Sequence, residues 1–563
     1  MFEKIYAFNL NTLCRQHNWR KWNTTTPVIL LFLFVTGSVV VSGCSTFNRS
    51  AQPKQSHADS ATSAHTEPMK SESRQRLDPY EIEPPVRFQN ALLRQSRTDS
   101  GSVGPEYWQQ WTNYYIDAQL DTATHRLEAT GKIVYYNNSP DTLYQIYMEL
   151  AQNLHKAGVL RNEENEITGG MDLEYLVTDG DTLNRNSRGR GGFSISNTSL
   201  SMRPNDGLRP GDSLVIETAW SFEIPKKGAS GRMGRNRDNL YYIAYWFPVM
   251  SVYDDVNGWY ARPFKGQGEF YMGYGNFDIT FSAPEQWLIR STGVFENAEE
   301  VLSSEVFKRY QQAMMSDTVV KIVGENDFDN ITNSEAANEN SYISWHFTAD
   351  SIRDVAISAN KNAYWDGARA PIGDLDGDGQ EDYTLVDAIY RSSAPLWKEI
   401  VPYAQHSITF LSNYTGMPYP WSHMTSVEGG GIIGGGMEFP MMTLMGDYNS
   451  RGARALYNVT AHEFAHMWVP MIVGTNERRY GWIDEGITSF QEVQARYDYF
   501  PGFEHKRGEF ISYQSIAGSE FENPIMQWTD YLYSDISFSV ATYSKPSKVL
   551  ILLKDYLGVN TFR

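Results

Sequence analysis

Two histidines four residues apart, in the segment AHEFAH at 461–466, constrain the fold of this chain more than any other feature. Side chains at positions i and i+4 lie one above the other on a helix, so the segment predicts a helix that points both imidazoles at one place. Both rings can reach a single zinc ion at about 2.0–2.1 Å, and the adjacent glutamate can activate a water molecule without binding the metal. The segment therefore predicts His462 and His466 as zinc ligands and Glu463 as the catalytic base.

A catalytic zinc site needs a third protein ligand and keeps its fourth position for water. Glu485, in the segment WIDEG, follows His466 after 18 intervening residues. Asp484 is expected to cap the next helix at its N-terminus, which would place Glu485 in the first turn of that helix. Two antiparallel helices joined by a loop can then converge on one ion. The motif alone also occurs by chance, and this spaced carboxylate is what favours a metal site.

Glu492 lies seven residues after Glu485, two helical turns along the same face. It could orient a metal-binding histidine through the ring nitrogen that does not bind the metal. It could equally be an ordinary surface acid. The sequence leaves both readings open.

With these residues the chain resembles the aminopeptidase N-like zinc metallopeptidases, the gluzincins of peptidase family M1, from residue 107 to the end. The family motif G-x-M-E-N reads GGMEFP at 435–440. The resemblance implies that Glu438 binds the free α-amine of a peptide, and that Gly435, Gly436 and Met437 form the edge along which the peptide backbone pairs. Phe439 replaces the usual Asn of the motif. The glycine-rich stretch 429–436 is also consistent with a plain flexible loop.

A third match is the segment TYSK at 542–545, where the resemblance implies that Tyr543 donates its phenol to the oxyanion of the transition state. Pro546 stands where the family has Gly. Family members continue well beyond Arg563, so the chain is expected to be C-terminally truncated.

The half of the chain before the histidines alternates apolar and polar residues between turn signals, which is typical of short strands. We expect an N-terminal all-β sandwich or saddle domain at 104–349, with an acidic insertion at 296–340. From about residue 350 the apolar spacing lengthens. The resemblance then implies a mainly α (α+β), thermolysin-like catalytic domain at 350–563, incomplete at its C-terminus.

The N-terminus has the pattern of a secretory signal. Basic residues precede the apolar run at 27–43, which ends in VSG directly before Cys44. This resembles the processing box of bacterial lipoproteins and predicts a signal peptide at 1–43, lipidation of Cys44 and a disordered tether at 44–103. The predicted location is the bacterial cell envelope, lipid-anchored at the outer membrane or facing the periplasm. An uncleaved signal anchor is the alternative.

A second metal site is suggested by the segment DLDGDGQED at 374–382, in which oxygen ligands alternate and glycines permit a tight turn. Calcium is bound by 6–8 oxygen atoms in such loops. Leu385 stands where the final glutamate of an EF-hand would be, so the spacing is closer to calcium loops in β-hairpins. The candidate ligands are Asp374, Asp376, Asp378, Gln380 and Asp382. A solvated acidic turn is the alternative.

The net charge is −19, from 48 basic and 67 acidic residues, which disfavours nucleic acid as a partner because phosphate binding needs a basic face. Taken together, the motifs predict a zinc aminopeptidase, with one ion per chain, that releases N-terminal residues from peptides with a free N-terminus. Two alternatives stay open. One is a zinc endopeptidase or another gluzincin hydrolase, and the other is a surface binding lipoprotein with a vestigial site.

Overall fold

Alternating apolar side chains in the first half of the chain build a large twisted sheet. The computed structural model describes residues 83–562, except 238, 503–506 and 533. Within these residues, neighbouring strands of the largest sheet follow in the order Val294–Phe295, Tyr342–Ile352, Gly275–Pro284, Trp111–Asp121, Arg126–Tyr136, Ser213–Glu223, Asp172–Thr178 and Asp181–Thr182. The β-rich N-terminal domain is thus confirmed.

The strand Trp111–Asp121 shows why this sequence forms a sheet. Every second residue is buried, from Thr112 to Leu120, because successive side chains of a strand point to opposite faces. It pairs along its whole length with Arg126–Tyr136, in an antiparallel hairpin. Asp121 accepts a hydrogen bond from the backbone N–H of Ala123 and closes the turn.

Three smaller sheets complete this half of the described chain. One contains Val249–Met250, Ile146–Glu149, Ser199–Arg203, Gly192–Ser196 and Asn184–Arg185. Another contains Gly234–Asn236, Leu240–Ile243, Ile357–Asn360 and Leu288–Ser291, and a two-stranded ribbon joins Tyr253–Asp254 to Gly258–Trp259. Large aromatic residues such as Trp220, Trp246 and Trp345 fill the core.

The second half begins with a mixed six-stranded sheet, not with helices. Its strands follow in the order Val320–Val323, Tyr364–Gly373, Asp382–Tyr390, His423–Glu428, Met442–Met445 and Gly436–Phe439. The expectation that helical periodicity starts near residue 350 is therefore wrong for residues up to 393. Seven of the nine residues of Asp382–Tyr390 are buried, so this strand lacks the alternation that marks a half-exposed strand.

Helices follow this sheet. The α-helices of the described chain are Val86–Leu93, Ala298–Val301, Ser304–Met315, Ile400–Thr415, Ala453–Ala465, Glu477–Gly481, Ile487–Tyr499, Arg507–Gln514, Asp535–Ser539, Lys545–Leu557 and Val559–Phe562. π-Helical turns lie at Met467–Ile472, Trp482–Gly486 and Val540–Ser544. Short 3₁₀ turns lie at Ala151–His155, Ala229–Gly231, Glu325–Asp327, Ser334–Ala336, Pro395–Glu399 and Thr529–Tyr531. None of the helices in the described residues has the length and apolarity needed to cross a membrane.

The segment 296–340 is more than an insertion. Its helix Ser304–Met315 buries Val306, Tyr310 and Ala313, and its strand Val320–Val323 pairs with Tyr364–Gly373 of the six-stranded sheet. The expected boundary at residue 350 falls within the strand Tyr342–Ile352 of the large sheet. The two halves are thus interleaved, and residues Val86–Arg563 belong to one compact unit.

The expected tether ends earlier than residue 103. Val86–Leu93 is a helix that buries Ala91. Arg97 then forms two hydrogen bonds of 2.8 Å with the carboxylate of Asp255 and lies over the ring of Tyr107. These contacts order residues that polar composition alone assigned to the tether. The signal peptide at 1–43, the lipidation of Cys44 and the tether up to residue 82 lie outside the described residues and stay predictions.

Candidate active site

One face of the helix Ala453–Ala465 packs on the core, and the other face carries His462 and Glu463. Leu456, Tyr457 and Phe464 are fully buried on the opposite side, against the six-stranded sheet, and fix the rotation of the helix. This leaves His462 and Glu463 facing a cavity. His466 follows at the C-terminal cap of the helix.

The three predicted zinc ligands meet in one place. Nε2 of His462 lies 3.2 Å from Nε2 of His466 and 3.1 Å from Oε2 of Glu485, and Nε2 of His466 lies 3.4 Å from the same oxygen. Tetrahedral ligands at about 2.0–2.1 Å from zinc are about 3.3 Å from one another. The triangle formed by these three atoms therefore fits zinc.

Glu485 reaches this triangle from a π-helical turn. Asp484 and Glu485 are both buried within Trp482–Gly486, and the helix Ile487–Tyr499 begins without a side-chain cap. The expected N-cap role of Asp484 is therefore wrong. The wider π turn lets two consecutive carboxylates face the histidines, and such turns are frequent at functional sites.

Each histidine also has a carboxylate on its second ring nitrogen. Oε2 of Glu492 lies 3.3 Å from Nδ1 of His462, which confirms the orienting position considered for Glu492. Oδ1 of Asp484 lies 2.9 Å from Nδ1 of His466, and the hydroxyl of Thr488 lies 3.2 Å from the same nitrogen. Partners of this kind fix the tautomer and orientation of metal-binding histidines.

Glu463 has the environment of a catalytic base. Its side chain is 3% exposed, and its Oε2 has no hydrogen-bond partner among the described residues. Burial raises the pKa of Glu463 to about 7. A Cβ atom at Gly436 would overlap the carboxylate of Glu463, so a side chain at that position would have to displace this carboxylate. The unpartnered oxygen faces the cavity and could accept a proton from a water molecule bound there.

Tyr543 lies beside the predicted zinc ligands. It belongs to the π-helical turn Val540–Ser544, and its phenol donates a hydrogen bond to Oε1 of Glu485. Its ring stacks on that of His462 with 5.9 Å between the centroids. Burial, together with the nearby Glu485, raises the pKa of Tyr543 well above its usual value, so the phenol keeps its proton. It is therefore a hydrogen-bond donor beside the metal ligands.

The glycine motif forms an edge strand. Gly436–Phe439 pairs on one side with Met442–Met445 and is the outermost strand of its sheet. Glu438 is 4% exposed, and its Oε1 lies 3.9 Å from Nδ1 of His466. Burial, with the charges of neighbouring carboxylates, raises the pKa of Glu438 well above its usual value. A cationic group bound there would relieve this cost.

The two apolar residues of the motif have a packing role. Met437 is buried in the core between the sheets. Phe439 packs against the rings of Tyr242 and Tyr245, with centroids 5.6 and 5.4 Å apart. The replacement of Asn by Phe at 439 thus joins the motif to the core of the N-terminal half.

Glu269 is a site residue that the sequence analysis missed. Carboxylate oxygens of Glu269, Asp484 and Glu485 lie within 4.8 Å of one another. Arg232 holds Glu269 with a 3.0 Å ion pair, and Arg478 donates to its backbone carbonyl. No short motif marks Glu269, because its segment is irregular and lies far from the histidines in sequence.

These side chains line one cavity of about 770 Å³. Its wall is predominantly acidic. The acidic residues are Glu163, Glu269, Glu438, Glu463, Glu485, Glu492, Glu509 and Asp535, and the basic residues other than histidine are Lys227, Arg232 and Arg451. Such a field favours a cationic substrate group over an anionic one.

The candidate calcium residues come together in part. Asp374, Asp376 and Asp382 place ligand atoms within 4.8 Å of one another, on a β-hairpin between two strands of the six-stranded sheet. Asp378 and Gln380 are hydrogen-bonded to each other instead. Calcium binding by this loop stays a prediction.

Comparison with known families gives a consistent result. Residues 401–563 match the family model described as the peptidase family M1 domain. Aminopeptidase M1-A of Oryza sativa is 25% identical over 175 residues, which are 28% of this chain and 20% of the relative. Tricorn protease-interacting factor F2 of Thermoplasma acidophilum is 28% identical over 177 residues, which are 28% of this chain and 22% of the relative. The match thus spans about a fifth of these curated relatives.

Solved structures share the fold over a longer stretch. A two-domain M1 zinc metallopeptidase mutant bound to L-arginine superposes with a TM-score of 0.52 at 13% identity, covering 81% of this chain and 84% of that chain. The M1 zinc metallopeptidase of Deinococcus radiodurans gives a TM-score of 0.50 at 12% identity, with the same coverage. These likenesses extend the shared architecture from the helical half to the β-rich half.

Proposed function

We propose that this chain, whose residues 401–563 match the peptidase family M1 domain, is a zinc-dependent aminopeptidase. The observation that carries the proposal is the position of Glu438. Its carboxylate lies 3.9 Å from Nδ1 of His466, one of the predicted zinc ligands, and lines the same cavity as all three of them. A free α-amine at Glu438 would place the first peptide bond of the substrate at the metal.

We assign a separate role in peptide hydrolysis to the zinc ligands, to Glu463 and to Tyr543. Zinc held by His462, His466 and Glu485 would supply a Lewis acid that polarises the substrate carbonyl and lowers the pKa of a water molecule. Glu463 takes a proton from the attacking water through its unpartnered oxygen and later delivers it to the leaving amine. Tyr543 donates its phenol to the oxygen on which negative charge develops.

Recognition of the substrate N-terminus rests on carboxylates. Glu438 and Glu269 line the same cavity, and the charge of Glu269 contributes to the raised pKa of Glu438. A protonated amine between them would be held by charge-assisted hydrogen bonds. We infer that these two residues restrict cleavage to the first peptide bond.

The substrate backbone fits the free edge of Gly436–Phe439. Gly446 donates a 2.9 Å hydrogen bond to the carbonyl of Gly435, so Gly435 faces the neighbouring strand. Because strand residues alternate, the N–H and C=O of Gly436 and Glu438 face the cavity. An extended peptide can pair there as an added strand.

The substitution Glu438→Ala tests this proposal against an endopeptidase. An alanyl anilide and an N-acetylated peptide are assayed with the zinc-loaded wild type and variant. We expect the wild type to cleave only the substrate with a free amine, and the variant to lose at least about 100-fold in kcat/KM, as for a charge-assisted pair. Cleavage of the N-acetylated peptide by both proteins would instead identify an endopeptidase.

A further inference from the structure

Arg451 differs from the other cations of the active-site cavity. Arg232 is largely enclosed, with 12% of its side chain exposed, and is paired with Glu269. The Arg451 guanidinium has no carboxylate of the described residues within ion-pair distance, 4.0 Å. Arg451 is exposed, and its guanidinium lies 5.3 Å from the centroid of the Tyr448 ring. Arg451 is therefore an exposed cation of the cavity that lies beside an aromatic ring and is available to an anion.

The edge strand fixes where this cation lies along a substrate. The amine is bound at Glu438, and the scissile bond lies near Gly436, which packs against Glu463. The substrate must then run from Glu438 towards Gly434, antiparallel to the strand. A Cβ at Gly434 would be 4.0 Å from Nη2 of Arg451.

The rise per residue of an extended strand shows which residue of the substrate lies near Arg451. Each extended residue advances about 3.3 Å, so a substrate with its first peptide bond at Gly436 and an extended backbone up to Gly434 has its third residue opposite Gly434. A free carboxylate at that residue would face the Arg451 guanidinium, which is suited to bidentate binding of carboxylates. The rest of the wall is mostly acidic and would repel a carboxylate placed elsewhere.

We propose that Arg451 binds the C-terminal carboxylate of tripeptides, so that the protein prefers tripeptides with a free C-terminus. This inference rests on the proposed aminopeptidase function. It assigns Arg451 to substrate specificity and gives it no part in bond cleavage. Longer peptides would place their carboxylate beyond the guanidinium, at about 3.3 Å per added residue.

The test compares Ala-Ala-Ala with its C-terminal amide, using the zinc-loaded full chain. We expect the wild type to prefer the acid by roughly 10- to 100-fold in kcat/KM, mainly through KM, as one charge-assisted pair would give. Arg451→Ala should abolish this preference, and Arg451→Lys should retain part of it. The acid and amide of a pentapeptide of alanine should be cleaved alike by all three proteins.

Lys227→Ala is the matched control, because Lys227 is also an exposed cation that lines this cavity. It should leave the preference intact. An unchanged acid preference in Arg451→Ala, or its loss in Lys227→Ala, would overturn the proposal. A wild type that cleaves acid and amide equally would also overturn it and leave the aminopeptidase function standing.

Binding provides a readout that does not depend on turnover. Calorimetry with the Glu463→Gln variant should show tighter binding of Ala-Ala-Ala than of its amide, and the double variant Glu463→Gln, Arg451→Ala should show no difference. If the wild type cleaves neither peptide nor an alanyl anilide, the aminopeptidase function fails. The binding comparison then still decides whether Arg451 recognises the carboxylate.

Discussion

The carboxylates of Asp484 and Glu492 lie beside the Nδ1 atoms of His466 and His462, respectively. These nitrogens are on the side of each ring that does not face the predicted zinc position. The carboxylate oxygens lie 2.9 and 3.3 Å from these nitrogens. Both acids are largely enclosed by protein, so water cannot easily replace them. The Nε2 atoms are thereby kept directed at the point where the zinc ligands converge.

Replacing either carboxylate should weaken the metal site without removing a ligand. We expect Asp484→Asn and Glu492→Gln each to lower zinc affinity by about 10- to 100-fold, because the imidazoles lose their fixed orientation and part of their basicity. Competition with a fluorescent zinc chelator measures this. Asp535→Asn, which changes a cavity acid in contact with neither histidine, should bind zinc as the wild type does.

At this scale the sequence predicted the residues whose spacing reflects helix geometry. His462, Glu463 and His466 are tied together by one helical face, and Glu485 by a spacing shared with a known family. Asp484 received the wrong role, because a π-helical turn has no sequence signature that distinguishes it from a capped helix start. Glu269 was missed because its approach to the site depends on tertiary packing.

The edge strand Gly436–Phe439 and the helix Ala453–Ala465 meet at one tight contact. Gly436 lies so close to the carboxylate of Glu463 that a Cβ atom would occupy the same space. Gly435, one residue earlier, has no heavy atom within 4 Å of where its Cβ would be. There is thus space for a Cβ atom at Gly435, whereas at Gly436 a Cβ atom would collide with Glu463.

This difference predicts unequal effects of two alanine substitutions. Gly436→Ala should displace Glu463 and lower kcat by at least about 100-fold, within the range by which general-base catalysis accelerates reactions. Zinc content should stay unchanged, because the three ligands are untouched. Gly435→Ala is the control and should keep most of the activity. Equal kcat values for the two variants would contradict the tight contact.

The sequence predicted half-exposed strands better than strands that are buried on both faces, and the reason is physical. The half-exposed strand Trp111–Asp121 shows the alternation from which strands were expected in this half of the chain. Strands of the six-stranded sheet such as Asp382–Tyr390 are covered on both faces, and their continuous apolar character resembles that of a buried helix. The extent of the six-stranded sheet therefore could not be predicted from the sequence and is seen only in the structure.

The two halves of the molecule are joined by buried charges. Arg353, which follows the strand Tyr342–Ile352, donates to the carbonyl of Pro470 and pairs with Glu477 at 2.8 Å. The neighbouring Asp354 is also buried, and this burial raises its pKa from 3.8 to about 7. The charge of Asp354 is thus unfavourable in the folded protein.

The sign of this shift predicts a pH-dependent stability. A raised folded pKa means that folding favours the protonated carboxyl, so the stability that Asp354 contributes is full below about pH 4 and is lost as the pH rises to about 7. Asp354→Asn should therefore raise the free energy of unfolding at pH 8, by at most about 4 kcal/mol, and change it little at pH 4. Urea titrations at the two pH values measure this.

Asp350→Asn removes an exposed carboxylate of the same strand region and is the control. It should change the free energy of unfolding little at either pH. A stabilisation by Asp354→Asn that is larger at pH 4 than at pH 8 would contradict the account of Asp354.

The central claim is that His462, His466 and Glu485 together hold one zinc ion. Elemental analysis of the purified, dialysed full chain by plasma mass spectrometry tests it most directly, with Glu485→Ala and Asp374→Ala prepared alongside. The account predicts one zinc per chain in the wild type and in Asp374→Ala, and a loss of stoichiometric zinc in Glu485→Ala. A wild type without stoichiometric zinc, or a Glu485→Ala variant that retains it, would contradict the account.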